Sequence, residues 1–141
     1  MKQTPPFSKG ARGFKKMNGK QIIQSAAIFG ALAVGIGAFG AHGLKDILEE
    51  TGRIETFETA VKYHFYHSLG IFLIGILALV KPDWKGFGFA AISMIIGILI
   101  FSGSLYFLSL TGITWLGAIT PLGGVAFILG WLRIFWTAAK N

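Results

Sequence analysis

The apolar residues of this chain come in long unbroken runs. No Asp, Glu, Lys or Arg occurs from Gln21 to Leu44, from Tyr63 to Val80, or from Gly86 to Leu132. A helix crossing a hydrocarbon core takes about 20 apolar residues, within a range of roughly 17–25. The first two runs supply one span each. The third is long enough for two, with a turn at Thr111-Gly112-Ile113-Thr114, where Gly and Thr interrupt the apolar sequence. The predicted spans are Ile22–Gly43, His64–Val80, Phe87–Leu110 and Trp115–Trp136. Helices are required because backbone groups in lipid must bond within their own segment. Continuous runs do not match the alternating segments of a membrane barrel. The pattern predicts an all-α integral membrane four-helix bundle spanning residues 21–136. Residues 1–20 form a basic tail expected to be disordered, and 137–141 form a short C-terminal tail.

Between the first two spans the pattern changes. Leu44, Ile47, Leu48, Ile54, Phe57 and Val61 recur at helical spacing among charged residues. This predicts an amphipathic helix, or two short ones divided at Gly52, on the outer membrane surface.

Composition agrees with membrane insertion. Hydrophobic residues make up 53% of the 141 and charged residues 13%, against about 25% charged in soluble domains. There is no Cys, which excludes disulfides and thiol chemistry. The net charge of +7 raises nucleic-acid binding, but its placement argues for topology instead. The N-terminal tail carries Lys2, Lys9, Arg12, Lys15, Lys16 and Lys20. Lys81, Lys85, Arg133 and Lys140 fall on the same side, ten basic residues against Lys45, Arg53 and Lys62 on the other. The bias places both termini in the cytoplasm of a cell (inner) membrane. A basic tail before an apolar run also resembles a signal peptide, but this run is longer than a typical signal core, and three further spans need it for packing. The expected partners are the lipid bilayer and a second copy or a membrane-complex subunit, with no nucleic acid.

Span one is rich in small residues, with ridges Ala27-Ala31-Gly35 and Ala33-Gly37-Ala41. Such residues let helices approach closely, so span one is expected at the centre of the bundle. Pro121 is expected to kink span four. Trp84, Trp115, Trp131 and Trp136 are expected at the membrane interfaces.

One constellation carries chemistry. His42 ends span one, and His64 and His67 open span two, three residues apart on one helix face. Tyr63 and Glu58 lie close in sequence, and Ser102, Ser104 and Tyr106 fall in the outer half of span three. Polar groups at membrane depth are costly and often functional. Three readings compete: mutual hydrogen bonding that fastens the helices of a structural or accessory membrane protein, a small-molecule, quinone or haem-type pocket, and a proton or ion path such as a small transporter would need. The path lacks an inward continuation, because Leu69–Val80 is apolar. No hydrolase or transferase set is present, so no catalytic residue is assigned and no cofactor is expected. Whether a metal binds is left open.

These residues carry a family resemblance. Gly37-Ala-Phe-Gly-Ala-His42-Gly-Leu44, Phe57-Glu-Thr-Ala-Val-Lys-Tyr63, Tyr66-His67-Ser-Leu69, Phe101-Ser-Gly-Ser-Leu-Tyr106 and Leu116-Gly-Ala-Ile-Thr-Pro-Leu-Gly-Gly-Val-Ala-Phe127 resemble the membrane proteins grouped as domain of unknown function 423. Their eukaryotic relatives are called transmembrane protein 256. The resemblance covers roughly residues 22–132. It implies a four-helix inner-membrane protein and supplies no substrate or mechanism. The family pattern often has Gln at His64, which makes His42 and His67 the better pair. With Glu58, Tyr63, Ser102, Ser104 and Tyr106 they form the candidate ligand-binding set.

Overall fold

The computed structural model describes residues 16–141. The expected tail lies mostly outside the described residues, in 1–15. The chain turns helical at Gly19, where Asn18 and Gln21 form a reciprocal capping box with both bonds at 3.0 Å. Helix α1 runs Gly19–His42 and the short α2 Lys45–Glu50. Helix α3 runs Ile54–Val80. The third span is α4 (Phe87–Gly97), a π-helical turn (Ile98–Ser102) and α5 (Gly103–Thr111). The fourth is a 3-10 turn (Thr114–Ala118) followed by α6 (Thr120–Ala139). Among the described residues, four helical stretches are long and apolar enough to cross a membrane, so the chain is an all-α integral membrane bundle. Gly19, Val80, Phe87 and Ala139 lie at one end, the tail end; His42, Ile54, Thr111 and Thr114 lie at the far end.

The connection between the first two spans divides at Gly52, as its sequence predicts. Gly52 has φ +64, and its left-handed backbone lets the chain reverse after α2. The second segment is no separate surface helix. It continues into span two, giving α3 27 residues and a length of about 40 Å, beyond a hydrocarbon core of about 30 Å. Neither Gly nor Pro occurs between Gly52 and Gly70 to stop it, and Glu58 and Lys62 support the projecting turns through an i,i+4 pair at 3.6 Å.

Two packing expectations change. Span one is not central: only 17% of its most apolar window is buried, against 39% and 44% in spans two and three. Gly19, Ile22, Ala26, Ala33 and Gly40 form the one buried stripe of α1, which rests on α3. Ala27, Ala31 and Gly35 face outward and are exposed. The other change concerns Pro121, which lies in the first turn of α6 rather than inside it. There its missing N–H leaves no intrahelical bond unmade, and the bend expected from proline becomes a helix start after a 3-10 turn.

The tail half of the core is aliphatic. Ile22, Ile71, Ile74 and Met94 are fully buried, packed with Ala26, Ala90, Ala91 and Phe87. The far half replaces aliphatic packing with rings and polar groups.

Candidate functional site

Three glycines on α1 set its register against α3. A Cβ at Gly40 would strike the Phe57 ring, one at Gly37 would lie 3.0 Å from Val61, and Gly30 faces Ser68. In this antiparallel register His42 lies level with the first turn of α3. His67 lies about twelve residues further along α3, roughly 18 Å deeper. His42 is exposed and shares neither hydrogen bonds nor ring contacts with the other histidines. The structure does not bring the two together.

His67 sits instead among residues of α3, the π-turn and α6. Its Nδ1 lies 2.8 Å from the Tyr63 carbonyl one turn back. Trp131 Nε1–H donates to its Nε2 at 3.3 Å. A carbonyl only accepts and an indole N–H only donates, so the ring is the neutral Nδ1–H tautomer. The imidazole stacks on Phe127, centroids 3.5 Å apart and planes 13° off parallel. Tyr63 packs on Phe101 at 4.6 Å, and Phe101 on Phe127 at 5.6 Å. Both ring nitrogens of His67 are therefore engaged, and a metal or haem iron would have to displace Trp131.

His64 belongs to a second group. Its Nδ1 is 3.1 Å from the Tyr106 hydroxyl, and Phe29 meets its ring edge-on. Its Nε2 is buried with no hydrogen-bond partner.

The serines join helices. Ser102 Oγ, fully buried at the end of the π-turn, donates to the Ala60 carbonyl at 2.8 Å. A π-turn is wider than an α-turn, and here Ser102 reaches α3 from its end. Ser104 Oγ and Thr120 Oγ1 share a bond of 2.7 Å, joining α5 to α6. Thr51 Oγ1 donates to the Ser109 carbonyl at 3.0 Å, holding the α2 turn over α5.

Glu58 is exposed and paired with Lys62. Both line a far-end pocket of about 380 Å³ with Lys45, Leu48 and Phe57. Of the candidate set, Tyr63 and His67 form one group and Tyr106 another; Ser102 and Ser104 are interhelical bonds; His42 and Glu58 are at the surface. No group of three or more His, Asp or Glu that could hold a metal occurs among the described residues.

Sequence reasoning left out Phe101, Phe127, Trp131 and Thr120. Trp131 was expected at an interface, but its indole reaches His67 in mid-helix. Only the coincidence of polar residues on two distant spans could have signalled it.

A family model described as "Protein of unknown function (DUF423)" matches residues 36–124. The UPF0382 membrane protein YwdK of Bacillus subtilis is 48% identical over 121 residues, 86% of this chain and 98% of the relative. A UPF0382 membrane protein of Staphylococcus epidermidis is 46% identical over 124 residues, covering 86% and 97%. One of Haemophilus influenzae is 36% identical over 121 residues, covering 86% and 95%. No solved structure matches. With a family model over most of its length and relatives aligned nearly end to end, the chain belongs to this family of membrane proteins of unknown function.

Proposed function

We propose that the protein is a structural or accessory component of a membrane assembly, with its tail end in the cytoplasm. One observation carries this reading. Most of the buried polar side chains are engaged with each other or with neighbouring backbone: His67 with Trp131 and Tyr63, Ser102 with Ala60, Ser104 with Thr120, and His64 through Nδ1 with Tyr106. Residues that elsewhere bind ligands at membrane depth here act as fasteners. The exposed ridge Ala27-Ala31-Gly35 of α1 suits a neighbouring helix. The cytoplasmic placement rests on the ten-to-three distribution of basic residues.

The test is affinity isolation of the full chain from native membranes in mild detergent, with the mass of the intact assembly measured. A partner subunit or second copy in stoichiometric amount is expected. Gly35→Leu should release it while leaving the helical fold intact, because nothing lies within 4 Å of a Cβ there. A chain that arrives alone, and is unaffected by Gly35→Leu, overturns the reading.

A second reading has its own observation. A groove of about 560 Å³ runs between α1 and α5, lined by Gly35, Ile36, Phe39, Phe57, Tyr106 and Phe107. Its walls are almost wholly apolar, and it suits an apolar small molecule. Stoichiometric retention of such a molecule, lost when Phe107→Ala removes one wall, would favour it.

A further inference from the structure

We propose that the tail end of the bundle binds the phosphate of an anionic phospholipid headgroup, in a pocket formed by Lys85, Arg133 and Lys140. This stands apart from the accessory reading. The pocket, about 360 Å³, lies between the α3–α4 connection and the last turns of α6, and Asp83, Trp136, Thr137 and Asn141 complete its walls. Three basic side chains face one acidic side chain, Asp83. The negative end of α6 opposes an anion here with roughly half a charge, which leaves the site positive.

Among the described residues these cations form no ion pair; the two pairs present, Lys45–Glu49 and Lys62–Glu58, lie at the far end. Arg133 is held in place without being satisfied. Gly86 packs directly on the guanidinium, whose Nη2 reaches the Lys85 carbonyl at a long 3.4 Å, and its Nε is buried without a partner. Thr137 Oγ1 takes the same carbonyl at 3.1 Å, tying the loop to α6. A guanidinium has five N–H donors in a planar fork that suits phosphate oxygens.

The surroundings identify a lipid as the source of that phosphate. Lys81 lies 5.6 Å over the Trp84 ring and Lys140 5.8 Å over the Trp136 ring, and tryptophans near span ends mark the headgroup level. Leu129, Leu132 and Trp136 continue along the α6 face that carries Arg133 and Lys140, and are 47%, 56% and 55% exposed. An acyl chain hanging from a phosphate in the pocket would lie on them. Basic pockets between membrane helices recognise anionic headgroups on this principle.

The test offers phosphatidylglycerol and phosphatidylcholine in equal amounts to the full-length protein and counts retained lipids by native mass spectrometry. A preference for phosphatidylglycerol is expected, lowered roughly fivefold for each cation removed in Arg133→Gln and Arg133→Gln/Lys140→Gln. Lys45→Gln/Lys62→Gln, at the far end, should leave it unchanged. The basic residues of 1–20 are present in every variant, so the difference between variants reads the pocket. If the double variant does not fold, Arg133→Lys, which keeps the charge and loses the fork, should still weaken retention. No preference in the wild type, or equal losses from the two double variants, overturns the proposal. So does inorganic phosphate stabilising the delipidated protein through Arg133 without any lipid preference, which would make the ligand a soluble anion.

Discussion

The first and fourth spans are both shallowly buried, 17% and 22% of their most apolar windows, yet they are attached by different means. Helix α1 is held by contact. Gly19 and Gly40 admit Leu79 and Phe57, Gly75 admits Ile23, and the Phe29 ring meets His64 edge-on. Helix α6 has glycine contacts of its own, at Gly123 and Gly130, and adds the Ser104–Thr120 bond, the Trp131–His67 bond and the Phe127–His67 stack. Lipid supplies no hydrophobic drive between helices, so attachment depends on close approach and polar bonds. A span with the first alone rests on its fit against α3, whereas α6 adds polar bonds to such a fit.

The largest way to break this contrast is Gly123→Val. A Cβ there meets the Phe101 backbone, 2.8 Å from its Cα, and a backbone cannot rotate aside. The substitution should cost about 3 kcal/mol, at the upper end for overpacking, read by reversible unfolding in mixed micelles. Gly40→Val should cost less, about 1–2 kcal/mol, because the obstacle is the Phe57 ring. Its effect should be confined to α1. The chain has no Cys, so Gly37→Cys with Val61→Cys gives a single crosslinking reporter. Gly40→Val should weaken that crosslink without disturbing a similar reporter between α4 and α6. The smallest change is Trp131→Phe, which removes one hydrogen bond. About 0.6 kcal/mol is expected, and no more than about 1.7, from interhelical bonds in membranes. A double-mutant cycle with His67→Phe isolates the pair. Coupling near zero would show that α6, like α1, is held by contact alone.

The four spans were legible because charge is so costly in lipid that its absence marks each crossing. Gly112, with φ +70 at the end of α5, and Gly52 marked the turns. Other features were hidden for physical reasons. The first turns of α3 carry Glu55, Glu58 and Lys62, which end an apolar run but do not end a helix, whose backbone bonds are indifferent to side-chain polarity. The abundance of small residues in α1 indicated close packing but not how many neighbours would use it; one does. Of the candidate site, the importance of Tyr63, His67, Ser102 and Ser104 as polar groups at depth was readable. Their partners were not. Trp131 is 64 residues from His67 and Ser102 is 42 from Ala60, and no local pattern links such positions.

The π-turn at Ile98–Ser102 has a consequence for chain length. A wide turn of this kind accommodates one residue more than a regular helix needs, and returns the helix to register beyond it. The third span therefore contains a supernumerary position. Removing Leu99, which is 60% exposed, would let the turn relax to α-helix while Ser104 and Ser109 keep their facing neighbours. A one-residue deletion, which would rotate every following side chain by about 100° in an ordinary helix of 3.6 residues per turn, is here the change the span can absorb.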